Sequence, residues 1–336
     1  AVHNKVITST EFFRENGGPL NVGDIVLKWE RLKVQMAFEL PDNTVHAGDT
    51  TVILIPPQLK FGDVSGFPIK DAGGNLVANA VIDAAAGTIT LTYTDYPEHH
   101  SGVKGKFFFF VRINHLEYDT EQDIPIEIKV GSEVFQGPTV HFPGVEDAEA
   151  KTFVKNSWKG GDAQISYSIN INQKKQAIRN VVVTDAIQTP GVTIDKNSFR
   201  VYKGTWYLRK HEWILDQTAA NDVTSQFINQ VAWSQNAEGK ATGFTLPIGD
   251  IGSDDGYVIR FDANINYQPV NGEKFENDAT LSGSEIQPIT VHSGMHYAIG
   301  GGIAEGYVFK IHIVKTDDSI PPLPVEGAKF TIVRKS

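Results

Sequence analysis

Along most of this chain apolar and polar residues alternate with period two, the spacing that puts every second side chain on one face of a strand. The pattern is plain in "LKVQMAFEL", "TTVILI", "GTITLTYT", "IPIEIKV", "AQISYSININ", "YVIRFDANINY" and "YVFKIHIV". "GKFFFFVRI" is an aromatic run of similar length. Gly, Pro, Asn and Asp bound these segments, as in "PDN", "DAGGN" and "VNGEK", which read as turns. Many short strands at this spacing predict antiparallel sandwiches, so the fold class is all-β. One helix is expected, over "TSQFINQVAW".

With 336 residues the chain has room for two domains, each with its own core. The Pro-Gly in "FPGVEDAEA" opens an acidic, strand-poor stretch, which divides the chain into a first domain over 1–143, a linker over 144–150 and a second domain over 151–295. The glycines of "HYAIGGGIAEG" then predict a hinge within a final segment, 296–336. That segment continues with the strand pattern "YVFKIHIVK", the turn-rich "TDDSIPPLPVEG" and a last strand, "AKFTIV". The chain starts at Ala1 without a signal peptide and stops inside a strand-like pattern, so a fragment of a longer protein is expected.

Composition narrows the partners. A net charge of −10 and a pI near 5.5 disfavour nucleic acid and anionic membranes, which need clustered Lys and Arg. The longest apolar run is too short to span a bilayer, so no membrane insertion is expected. With 0 cysteines there is no disulfide, thiolate metal site or cysteine nucleophile. No cofactor or metal is expected.

The candidate chemistry lies in "NVVVTDAI". Residues 180–184 form a β-branched run with the look of a buried strand, and Asp185 closes it, where a carboxylate loses hydration. "KTFVKNSW" places Lys155 in an apolar strand near the start of the second half, and "KFENDATL" places Asn277 in a strand near its end. First and last strands of a sandwich are commonly neighbours, so Lys155 and Asn277 could meet beside Asp185. Burial disfavours both charged forms. A neutral lysine amine is a nucleophile, a protonated aspartate can polarise the asparagine carbonyl, and contact supplies the effective molarity. Attack with loss of ammonia would give a Lys155–Asn277 isopeptide bond, formed once. The same residues would also serve as an ordinary ion pair with Asn277 capping a turn.

The order "FVKN … VVVTDAI … KFENDATL" resembles the second (N2) domain of the Gram-positive collagen-binding adhesins. The resemblance extends to "ITVHSGMHYAIGGGIAEGYVFKIHIVKTDD", similar to the region after N2, and to "AGTITLTYTDYPEHHSGVKGKFFFFVRIN", similar to the N1 pattern. It implies two variant immunoglobulin-like sandwiches that hold a rope-like extracellular-matrix ligand, collagen foremost. It also implies a strand after N2 that crosses N1 by β-addition and latches the ligand. On that resemblance the latch residues are Gly302, Ile303, Tyr307, Phe309, Ile311 and Ile313. The trio becomes a stabilising isopeptide, Lys155 to Asn277 with Asp185 as the catalytic acid, in a monomeric, non-enzymatic, secreted and wall-anchored adhesin.

Collagen is nearly uncharged, with proline rings outside, so its receptor needs a shallow trench of aromatics and amides. The strand "ISYSININ" aligns with the family's trench and makes Asn170 a ligand candidate; Trp206 and Tyr207 of "VYKGTWYLRKHEW" are candidate aromatic walls, or core residues. Val154 and Ser168 stand where the collagen binders tend to carry aromatics, which leaves a different host ligand open. Two other classes share this fold. A carbohydrate-active sandwich would need convergent carboxylates or a metal, and only His99 with His100 and His115 with Glu117 cluster. "GDVSGF" lacks the second serine of a metal-dependent adhesion site. A pilus subunit, the remaining alternative, also uses stapled sandwiches.

Overall fold

The computed structural model describes residues 1–63, 65–308 and 329. The first half contains β1 (Ile7–Arg14), β2 (Leu32–Glu39), β3 (Thr50–Leu54), β4 (Leu59–Phe61) and β5 (Phe67–Asp71). It continues with β6 (Leu76–Asp83), β7 (Thr88–Tyr93), a single helical turn α1 (Tyr96–His99), β8 (Ser101–Ile113), β9 (Gln122–Val130) and β10 (Glu133–Phe142). The second half contains β11 (Phe153–Gly161), β12 (Gln164–Ile171), β13 (Ile178–Ile187), β14 (Val192–Gly204), β15 (Tyr207–Arg209) and β16 (Glu212–Ile214). After the short helix α2 (Thr224–Phe227) come β17 (Ala232–Gln235), β18 (Ala241–Ile251), β19 (Gly256–Ile265), β20 (Lys274–Gly283), β21 (Ile286–His296) and β22 (Gly301–Tyr307).

The architecture is the expected all-β sandwich pair. In the first sandwich the strands run β1-β2-β8-β22-β5-β6-β7-β3-β9-β10, with β4 added beside β8. In β2 the alternation is realised residue by residue: Leu32, Val34, Met36 and Phe38 face the core, while Lys33, Gln35 and Ala37 do not. The second sandwich has a four-stranded sheet, β11-β12-β19-β14, facing a five-stranded one, β17-β18-β13-β20-β21. Each sandwich has its own apolar cluster, and Ala304 of β22 belongs to the first one.

Three sequence expectations are corrected. The helix over "TSQFINQVAW" is one turn at Thr224–Phe227 and a 3₁₀ turn at Ile228–Gln230, after which Ala232–Gln235 is a strand. Trp233 packs edge-on against Phe199 and Phe244, and this burial outweighs local helical periodicity. The β-branched run at 180–184 is not buried throughout: Val181 and Val183 face the core, Thr184 faces out, and Asp185 lies inside β13, followed by Ala186 and Ile187. The "GGIAEGY" stretch, expected as a hinge, is itself strand β22.

Candidate functional site

β22 leaves the second sandwich and enters the first one's sheet. It pairs antiparallel with β8, from Gly301 opposite Phe108 to Tyr307 opposite Ser101, and parallel with β5 through Gly302, Ile303 and Ala304. The slot is narrow. A Cβ at Gly302 would lie 2.8 Å from the Cβ of Phe107, and one at Gly300 would lie 2.4 Å from the Phe67 ring. Glycine is therefore required for the seating itself rather than for a flexible crossing. Lys104 and Glu305 pair at 3.4 Å across the edge. Of the residues expected in the latch, Gly302, Ile303 and Tyr307 lie in β22; Phe309, Ile311 and Ile313, like the last strand "AKFTIV", lie outside the described residues.

Beneath this crossing is a cleft of about 230 Å³ between the sandwiches, lined by Lys33, Phe108 and Phe110 on one side and by Asn271, Gly272 and Tyr297 on the other. Lys159 of β11 spans the two bodies. Its ammonium reaches Asp63 at 3.1 Å and Ser65 Oγ at 2.8 Å, over the Tyr297 ring at 5.0 Å. The sequence reading missed this tie, although period two along β11 puts Lys159 on the same face as Lys155. A second connection is the β15–β16 hairpin. His211 Nδ1 lies 2.8 Å from Asp147 of the linker and Nε2 lies 3.2 Å from Asp119, while Trp213 Nε1 donates to the Ala148 carbonyl at 2.8 Å. Hydrogen bonds to Asp147, and then to Asp119, hold the His211 pKa above the ordinary histidine value.

The trio sits inside the second sandwich. Lys155 comes from β11 of one sheet; Asp185 and Asn277 come from paired strands β13 and β20 of the facing sheet. Lys155 and Asn277 thus face each other across the core between sheets rather than on neighbouring strands, while Asp185 sits on the strand next to that of Asn277. Lys155 Nζ donates to Asp185 Oδ2, and both side chains are fully buried. The ammonium also lies 5.1 Å from the Tyr167 ring centre and 5.6 Å from that of Phe261. Burial pushes the lysine pKa down, opposed by Asp185, and pushes the aspartate pKa up, opposed by Lys155. Asn277 is 0% exposed and lies close enough to Asp185 and Tyr167 to lower both of their pKa values. Even so, neither atom of its amide has a hydrogen-bond partner, nor does Asp185 Oδ1. Unsatisfied buried polar atoms are rare and costly, which singles this cluster out.

The ligand candidates separate. Asn170 is half-buried on the outer face of β12, opposite Val154 and Val258, and accepts from Ser168 Oγ at 2.8 Å. Trp206 is a core residue and not a wall: it is 2% exposed and its indole N–H donates to the Ile171 carbonyl at 2.7 Å. With Leu215 it packs on Val258 and anchors the hairpin that carries His211. Tyr207 is at the surface, its hydroxyl donating to Asp216 at 2.7 Å. The sequence reading overlooked Trp158, exposed opposite Ser166, with the Arg260 guanidinium 4.7 Å from its ring. Its period-two spacing from Val154 is the signal that puts it on the Asn170 face.

Residues 152–291 match the family model described as Collagen binding domain, and residues 25–123 match the one described as Bacterial Ig domain. The Wall-associated protein of Streptococcus mutans is 25% identical over 279 residues, covering 77% of this chain and 56% of the relative. The Serine-aspartate repeat-containing protein E of Staphylococcus aureus is 26% identical over 240 residues, 65% of this chain and 20% of the relative. The chain thus spans only part of either relative's length. Among solved structures, the collagen adhesin (CNA) from S. aureus shares the fold, with a TM-score of 0.63 and 16% identity over 91% of this chain and 97% of that one. The match to the collagen binding domain family thus lies on the second sandwich, and the chain is similar in sequence to Gram-positive surface proteins and in fold to a collagen adhesin.

Proposed function

We propose that this chain clasps an extracellular-matrix rope, collagen foremost, between its two sandwiches and closes over it with β22. The observation that carries the reading is the seating of β22, a strand from beyond the second sandwich, between β8 and β5 of the first, above the cleft. A strand added to an open sheet satisfies main-chain hydrogen bonds whatever the ligand's sequence, which suits a latch. Asn170, Trp158 and Tyr207 offer the amide and aromatic contacts that a proline-rich surface takes. Wall-associated relatives support a wall-anchored parent protein acting as an adhesin.

In the same reading Lys155 Nζ, once its proton has passed to Asp185, attacks the Asn277 side-chain carbonyl carbon. Asp185 donates a proton to the carbonyl oxygen and then carries protons to the departing nitrogen. One C–N bond forms, one breaks, and ammonia leaves. The product is a staple between the two sheets and not a turnover site. The opposed pKa shifts of Lys155 and Asp185 support it.

The test is binding of the 336-residue chain, side by side, to triple-helical collagen, gelatin and fibrinogen. Saturable binding to the triple helix alone is expected. Binding to none of the three overturns the collagen assignment.

A further inference from the structure

The sheet face that reaches the cleft through Lys33, Phe108 and Phe110 continues beyond it into a row of cations, for so acidic a chain a marked concentration. Lys60 of β4 stands directly opposite Arg112 of β8. On the other side of β8, Leu32 pairs with Val111 and Lys33 with Phe110, so Arg31 falls next to Arg112. Burial, and then the Arg31 charge, make Arg112 harder to protonate. Like charges opposite one another on a sheet face are destabilising, so the fold gains nothing from the row Lys60, Arg112, Arg31.

Among the described residues a carboxylate neutralises only Arg31 of this row. Arg31 is held by Glu15 and by the His296 carbonyl of the second sandwich. Glu117 feels Lys60 but bonds to Lys210 at 2.7 Å. Among the described residues Lys33 and Arg112 have aromatic rings in place of ion pairs: Lys33 lies 4.4 Å from the Phe108 ring centre and Arg112 lies 4.4 Å from that of Trp29. The indole is 51% exposed. In the cleft lining the carboxylate of Glu15 is taken up by Arg31, and the facing Asn271, Gly272, Tyr297 and Ala298 carry no charge. A cation resting on a ring keeps its outward N–H groups for an incoming acceptor, and a guanidinium takes a carboxylate with two parallel bonds.

We propose that Lys33 at the cleft, with Lys60 and Arg112 beyond it on the same sheet face, forms a wall that binds Asp and Glu side chains of the polypeptide rope where it runs out of the cleft across this face. The inference rests on the clasp reading above and adds the chemistry that the rope must present. A sulfated glycan fits less well, because the aromatic half of the wall would stay uncovered and a net charge of −10 repels a dense polyanion.

The experiment uses the whole chain against three immobilised probes: native collagen, the same collagen with its carboxyl groups amidated, and heparin. Native collagen is expected to bind about tenfold more tightly than the amidated form. The double variant Lys33→Gln/Arg112→Gln should lose that preference and bind the two collagens equally; a preference that survives in it overturns the wall. Equal binding of both collagens by the unaltered chain overturns the carboxylate wall and leaves the clasp standing. Stronger binding to heparin overturns it in favour of a glycan. If neither collagen binds, the collagen reading falls, and a soluble Glu-Ala copolymer decides the wall on its own. Quenching of tryptophan fluorescence that disappears in Trp29→Phe and in Arg112→Gln upholds it, and no quenching overturns it.

Discussion

The first sandwich buries an almost wholly apolar core and takes one strand from beyond the second sandwich. The second completes its own sheets, yet runs a lysine, an aspartate and an asparagine through its interior. Apolar closure is non-directional and reversible, since burying area rewards many arrangements and releases them again. A buried polar trio rewards one arrangement and penalises every other, because each unpaired group bears the full loss of hydration. On the clasp reading, the body that opens for a ligand is the one closed by an added strand, and the body that stays shut is the one closed across its middle.

The comparison breaks hardest at Asp185. Asp185→Ala leaves Lys155 buried without its partner, and the expected loss is about 3–5 kcal/mol, read as a fall in the melting temperature of the second sandwich. If the staple forms, the wild-type mass is lower than that of the sequence by one ammonia and the deficit vanishes in the variant. A wild-type mass equal to the sequence sinks the staple and leaves an ion pair. Trp206→Ala should cost a comparable ~3–5 kcal/mol. It tests whether the hairpin anchor belongs to the second core: calorimetry should register it even where collagen affinity per folded molecule is unchanged.

These two sites also separate what the sequence made legible from what it hid. Strands such as β2 and β12 could be read because one face is buried and the other wet, so the alternation survives in the residues. The order of Lys155, Asp185 and Asn277 could be read because each interrupts an apolar strand. That they meet across the sheets, and not side by side, depends on pairings such as Ile187 with Asn277, which the sequence order of strands does not specify. Trp206 stayed open between wall and core because an aromatic between loop residues carries no periodicity to say which way it faces. Trp233 was misassigned because its helix-like neighbours are overruled by contacts with Phe199 and Phe244, distant in sequence.

The first sandwich is tested more gently. Gly302→Val puts methyl groups against Phe107 and Ile69, and the overpacking should cost about 1–3 kcal/mol of β22 seating. Hydrogen exchange would then quicken at residues 301–307 and along β8, with the second sandwich's melting unchanged. Loss of protection throughout both bodies would contradict independent closure.

The smallest effect is expected at His211, which faces Asp119 and Asp147, with Glu121 and Glu146 also lining its pocket and Lys210 next to it bonded to Glu117. Its folded pKa lies above the ordinary 6.5, so its tie between the bodies is at full strength below that value. The tie is lost as pH rises through the raised folded value. Small-angle scattering across that window should register a slight loosening of the two bodies that His211→Gln abolishes. A pH dependence that survives the substitution would assign it elsewhere.

The seating of β22 also sets an order of events in time. A chain made from its amino terminus completes β5 and β8 long before Gly302, their shared neighbour, exists. Contacts so remote in sequence close late, because the intervening chain must first be gathered in. Until then the two strand edges stand open, and their groups are free to pair with any passing strand. Folding of the second sandwich shortens the path that β22 must search. In this way the later domain acts as a chaperone for the earlier one, built into the same chain.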